Sequence, residues 1–449
     1  MMRKSSLGQE ALQSSFSRRS FLALSAGTSA AFLAACGGGK GVGDTGTESS
    51  GSFTGEYTGP AITLAYWNGF TGGDGPTMTK LVNQFNDADE KITVEANTIE
   101  WADFYQRLPA AANAGKGPDV GVMHLDQLAT NAARSVIVPL DDVAEAINLQ
   151  ESDFIGPVWA PGIYEDARYG IPLDVHCLAM FWNEDHFAEA GISEAPTDAA
   201  SLDKACMKLQ QAGFEQPMWM PNLWPAHLMF LSLLWQFGGE PYTEDGSEAT
   251  FDSEAGVSAL TWMTEQVDKG YSPGNVDQDA QYLAFKNGKN SITWDGIWQI
   301  NDLKAAGMSF GIAPLPTIGD QPASWANSHN FFLTKQAAED QDRSDASKVF
   351  ISSLSEQSGA WAGAAMIPAR NSAREDKAYT DSPQAALDDY LENLHFLPPV
   401  PGLGDVTTQT IEVAVNEAVL GQASPADALS KGAENATQLM EDNQAKFGG

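Results

Sequence analysis

The sequence predicts an α/β protein whose parallel sheet is covered by helices and whose folded part divides into two lobes. Three observations predict it. Strand-like and helix-like patterns alternate from Ala61 onward, nearly 390 residues follow the polar segment that ends near Gly59, and hydrophobic residues make up 43% of the chain. Alternating β and α segments form a parallel sheet with helices on its faces. A folded part of this length exceeds what one hydrophobic core accommodates, so two are expected.

The elements follow in order. Residues 61–68 (AITLAYWN) form a short β-prone run, after which Met78, Leu81, Val82 and Phe85 recur at helical spacing. The pattern repeats with a strand at 92–99, a helix at 103–114, a strand at 118–124 and a helix from Asp126. Pro109 lacks an N–H and is expected to kink or shorten its helix. Pro172 marks the first crossing between lobes. Pro196-Thr197 opens a helix with Leu202, Cys206 and Leu209 on one face. Residues 227–237 form a buried helix stopped by Gly238-Gly239, and 254–268 another stopped by Gly270. Residues 291–294 read as a strand and 311–316 as a connector. The chain returns to the first lobe near 328–333, leaves it near Ile367-Pro368, and closes the second lobe with helices from about Glu375. The lobes are thus 60–172 plus 328–368, and 173–327 plus 369–446.

The first 35 residues read as an export address. Arg18-Arg19 precede an apolar run from Phe21 to Ala35, as in a twin-arginine signal, and Leu33-Ala34-Ala35-Cys36 reads as a lipobox whose cysteine takes the lipid. An extracytoplasmic protein, lipid-anchored to a bacterial cell membrane, is expected. Residues 36–59 are rich in Gly, Ser, Thr and Glu and read as a flexible tether. The whole chain carries a net charge of -34; without residues 1–35 it has 21 basic and 58 acidic residues, or -37. That balance disfavours nucleic acid and phosphate-rich ligands. Cys177 and Cys206 remain after Cys36 is assigned, and spacing alone leaves open whether they form a disulfide.

Five passages carry a family resemblance: Gly115-Lys116-Gly117-Pro118-Asp119-Val120; Tyr169-Gly170-Ile171-Pro172 with Phe181-Trp182-Asn183; Gln236-Phe237-Gly238-Gly239; Ala284-Phe285-Lys286-Asn287-Gly288-Lys289; and Ile367-Pro368-Ala369-Arg370. In this order they resemble the extracellular sugar-binding proteins of ABC importers, the maltose-type and glycerol-phosphate-type family, over roughly residues 61–446. The resemblance implies a two-lobed periplasmic-binding-protein-like (type II) fold, with a hinge and a ligand cleft. It also implies a mono- or oligosaccharide or polyol as ligand, permease subunits as partners, a monomer, and no cofactor or metal. His124 stands where many relatives are acidic, and Cys177 where proline is frequent.

Sugars present hydroxyl edges and weakly apolar faces, so their sites combine aromatic plates with carboxylate, amide or arginine partners. Trp67, Asn68, Trp224, Trp294, Asp295 and Trp298 are candidates, as are Trp325, Asn327 and His329, at strand ends and in loops. His124 belongs with them at a strand end, and Asp126 either touches ligand or caps a helix. Asp174 and His176 follow the first crossing, and Arg370 the third. Trp235 and Trp262 lie inside apolar helices and are assigned to the core, and Asp119 to a structural role. The rival reading is a secreted carbohydrate-active hydrolase, which needs two positioned carboxylates. No such pair stands out, nor any GxSxG, HExxH or P-loop pattern. The six histidines read as scattered, so no metal site is expected.

Overall fold

The computed structural model describes residues 53–447. The twin-arginine motif, the lipobox with Cys36 and most of the tether lie outside the described residues. Phe53, within the span assigned to the tether, is 5% exposed and packs into an apolar cluster.

In strand β1 (Ile62–Asn68) Leu64, Tyr66 and Asn68 are buried on alternate positions. Helix α1 (Gly75–Ala88) buries Met78, Leu81, Val82 and Phe85, the face its periodicity marks. Strand β2 (Ile92–Thr98), helix α2 (Trp101–Asn113), strand β3 (Val120–His124) and helix α3 (Leu125–Ala133) follow. β1 pairs in parallel with both β2 and β3. Helix α2 continues through Pro109 for a further turn and is not shortened. Its first turn is capped by the Glu100 carboxylate, which accepts from the N–H groups of Ala102 and Asp103, and buried Phe104 and Leu108 hold it to the sheet. Asp119 has the structural role expected of it, accepting from Ala65 N at 2.8 Å and Arg343 Nη1 at 2.9 Å.

The chain then crosses. Strand β4 (Ile171–Pro172) leads through Leu173 into strand β5 (Asp174–Asn183), the axis of the second sheet. β5 is buried on both faces. Val175, Cys177, Ala179 and Phe181 enter one apolar cluster, and Leu178 and Met180 the other, as the period of two requires. Helix α4 (Ala199–Gln211) buries Leu202, Ala205, Cys206 and Leu209. All eleven residues of helix α5 (Ala226–Gln236) are buried. A fully buried large apolar side chain contributes about 1.5–3 kcal/mol, so α5 anchors this lobe. Helix α6 (Glu254–Asp268) packs against it.

β5 pairs antiparallel with strands β6 (Ile292–Gly296), β7 (Phe310–Ala313) and β8 (Ser324–Asn327). β7 replaces the connector expected at 311–316. Its partner lies about 130 residues earlier, so nothing local in the sequence marks it. Strand β9 (His329–Thr334) returns to the first sheet beside β3, and strand β10 (Ile367–Pro368) pairs with Val175 and Asp174 of β5. Past Glu375, Tyr379, Leu387 and Tyr390 join the first apolar cluster. Helices α7 (Leu403–Val419) and α8 (Pro425–Phe447) join the second. No helix among the described residues is long and apolar enough to cross a membrane.

Cys177 and Cys206 are free, buried, and in different clusters, with burial pushing each thiol up to about 12. Melting curves recorded with and without a reductant are therefore expected to superimpose; a lower melting temperature under reduction would reveal a bridge that this packing excludes.

Candidate functional site

Strand register builds the floor of a cleft of about 1430 Å³. His329, the first residue of β9, pairs with His124, the last of β3. Asn327 of β8 pairs with His176 of β5. Asp174 and His176 are two apart on one strand and share a face. Where the chain passes between sheets, His124, His176 and His329 therefore converge, with ring centroids 4.4 to 5.5 Å apart.

Asp174 lies beneath them, fully buried. Its carboxylate accepts from His329 N at 3.0 Å and Trp361 Nε1 at 2.6 Å, and meets His329 Nδ1 at 2.8 Å and His176 Nδ1 at 3.2 Å. Burial alone would raise its pKa, but His329 and His176 hold it well below the usual carboxylate range. Burial and the neighbouring His329 push His176 down to about 4, and burial lowers His124 strongly. Tyr105 Oη lies 2.5 Å from His124 Nδ1 and also accepts from His124 N. Asp126 lines the same floor, pushed up to about 6 by burial, with Oδ1 lacking a protein partner.

Aromatic walls rise on both sides. From α2, Trp101 stacks on His329 at 5.5 Å and 16° and on Tyr105 at 5.7 Å and 16°. From the other lobe, Trp298 lies 6.4 Å from Trp224 and meets Trp325 edge-on at 6.3 Å. Two glycines allow this. A Cβ on Gly69 or on Gly296 would come within 2.1 Å of the Trp101 or Trp298 ring respectively.

Of the residues chosen from sequence, His124, Asp126, His176, Trp224, Trp298, Asn327 and His329 line the cleft, and Trp325 with them. Asp174 supports the lining without joining it. Five choices require correction. Trp67 packs edge-on against Phe104, because Trp101 covers the strand end instead. Asn68 spends its Oδ1 on Phe70 N and Thr98 Oγ1. Trp294 belongs to the core, stacked on Trp262 at 5.2 Å and 13°. Arg370 turns away from the cleft, bridging Phe154 and donating to Ser355 Oγ at 2.8 Å.

Asp295 is also off the cleft. It is wholly buried and accepts from Gly296 N at 2.7 Å and Gln281 Nε2 at 3.0 Å. Sequence reasoning missed Trp101 and Tyr105, an aromatic pair four apart in one helix. It also missed the polar face of α7, where Thr408 and Glu412 are likewise four apart, and His227, whose Nδ1 lies 3.4 Å from Glu412. Polar residues at helical spacing near the chain's end were the available signal.

Residues 80–386 match the family model for bacterial extracellular solute-binding proteins. The chain belongs to that family. The maltodextrin-binding protein of Bacillus subtilis is 21% identical over 379 residues, covering 79% of this chain and 84% of its own. The maltotriose-binding protein of Pyrococcus abyssi is 26% identical over 218 residues, 48% of this chain and 46% of its own. Among solved structures, the GacH receptor of Streptomyces glaucescens, determined unliganded and with acarbose, superposes with a TM-score of 0.76 at 22% identity. The match covers 86% of this chain and all of that one. Like it, this family member has the two-lobed α/β fold with a cleft between the lobes.

The burial of Asp295 gives a test of the core beside the cleft. Burial pushes its pKa from 3.8 up to about 7. Below the lower value the carboxyl is neutral in both folded and unfolded chain. Between the two values the unfolded chain ionises first, so stability falls as pH rises, and the loss is complete above the upper one. Asp295→Asn removes that dependence. Its stability relative to the parent should improve by up to about 4 kcal/mol between pH 4 and pH 8. A difference that does not change with pH, in melts across that range, would refute the assignment.

Proposed function

We propose that this protein is the capture component of a carbohydrate ABC importer, lipid-anchored through Cys36 on the outer face of the cell membrane. The observation that carries the reading is the pairing of aromatic walls from both lobes across a floor of carboxylate, amide and imidazole groups. Trp101 and Trp298 supply plates for the C–H faces of sugar rings. Asp126 and Asn327 supply hydrogen-bond partners for hydroxyl edges.

The size of the cleft supports an oligosaccharide. About 1430 Å³ exceeds the roughly 300–1,000 Å³ of small-molecule pockets. Relatives named for maltotriose and maltodextrin support the same class. Acidic residues lining the cleft, Asp74, Asp279, Asp405 and Glu412 among them, disfavour phosphorylated or carboxylated sugars. Closure of the lobes about the crossing strands would bury the ligand between the two walls, and the permease would read the closed form.

A panel of mono-, di- and trisaccharides, read by thermal shift and tryptophan fluorescence, tests this. At a hundredfold excess over Kd the correct sugar should stabilise the fold by about 2.7 kcal/mol. Trp101→Ala and Trp298→Ala should each weaken binding by about 2 kcal/mol while leaving a cooperative melt. Trp294→Ala should instead destabilise the fold by about 3–5 kcal/mol. A panel with no stabilising sugar would overturn the carbohydrate reading, and release of a shorter sugar would turn it toward hydrolysis.

A further inference from the structure

The three histidines on the cleft floor have more order than hydrogen bonding to a sugar requires. Their potential ligand nitrogens lie within 4.8 Å of one another. Each ring is also held from behind at Nδ1. Asp174 receives Nδ1 of His176 at 3.2 Å and of His329 at 2.8 Å, and Tyr105 Oη meets Nδ1 of His124 at 2.5 Å.

An ionised carboxylate can only accept, so Asp174 fixes the proton of both neighbouring rings on Nδ1 and leaves Nε2 as a bare lone pair. Tyr105 Oη accepts from the backbone N–H of His124 and meets its Nδ1; in the tautomer with the ring proton on Nδ1 the hydroxyl accepts that as well, and Nε2 is the free lone pair. Three such lone pairs on one cleft floor make a donor set that a cation would satisfy. Imidazoles backed by a carboxylate or other oxygen are the arrangement that orients histidine toward a metal ion.

We infer that His124, His176 and His329 form a binding site for a divalent transition metal, with Zn²⁺ the ion best suited to it. Three imidazole nitrogens with one position left open is an established zinc donor set, and zinc–nitrogen bonds are about 2.0–2.1 Å long. Nitrogens up to 4.8 Å apart must draw inward to reach that length. The fourth position faces the cleft, open to water or to a ligand hydroxyl. Asp174 beneath and Asp74 and Asp126 alongside supply negative charge that favours a dication. The site is built on strand ends and crossing strands, so it stands whether or not the ligand is a sugar.

The test uses the full-length protein, freed of metal by a chelator and dialysed, with no sugar present. Co²⁺ serves as the optical probe and Zn²⁺ as the calorimetric one. Expected is one Co²⁺ per chain with intense visible d–d bands of a four-coordinate site, displaced by Zn²⁺, and a higher melting temperature with Zn²⁺. His124→Ala and the double variant His124→Ala/His176→Gln should abolish the bands, and Asp174→Asn should weaken binding by about 10–100-fold. His186→Ala, in which the lost ring otherwise meets Ser291 on the second lobe, should bind as the parent does. If a cooperative melt is retained in His124→Ala and the bands persist, the inference is wrong. It is equally overturned if the parent gives no bands at stoichiometric Co²⁺, or if His186→Ala loses them too.

Discussion

The carboxylate of Asp174 is the constraint on which the region between the lobes depends. A buried charge is costly unless every oxygen is paired. Here pairing draws on three separate parts of the chain: His176 on the same crossing strand, His329 on the returning strand through both its ring and its backbone N–H, and Trp361 from the segment before β10. Removing one partner from such a network typically costs about 3–5 kcal/mol. The crossings are thereby tied together at one point, and that point is also the floor of the cleft.

From that point the ligand surface follows by geometry. β3, β5 and β9 each deliver a histidine because their ends meet there, and the aromatic walls stand to either side. The walls depend on missing side chains as much as on present ones. Gly69 and Gly296 give Trp101 and Trp298 room to lie flat on the backbone, at separations no Cβ would permit. The core beside the cleft is packed more conventionally, with Trp294 stacked on Trp262 and β5 filling both apolar clusters. Rigid packing behind and polar, aromatic groups in front is the division of labour that binding by closure requires.

Most elements were legible in the sequence because their signals are local. The faces of α1 and α4, the largely apolar α5, and strands β1 to β3 follow from periodicity and flanking glycines. What failed had non-local causes. β7 exists because β5 lies beside it. Trp67 and Trp294 carried the right chemistry at strand ends, but another ring covers the first and Trp262 faces the second. Asn68 and Arg370 found partners in their own neighbourhood, at Phe70, Thr98 and Ser355, and were withdrawn from the site.

By itself the sequence determined the α/β class, the order of most elements and the family pattern, since each rests on residues close along the chain. Tertiary structure decided which tryptophans face the cleft, where Asp295 is buried, and that three of six apparently scattered histidines meet. His124, His176 and His329 are 52 and 153 residues apart in sequence. They converge through the antiparallel register of β9 on β3 and of β8 on β5. Register follows from the packing of whole strands, which no spacing of residues along the chain records.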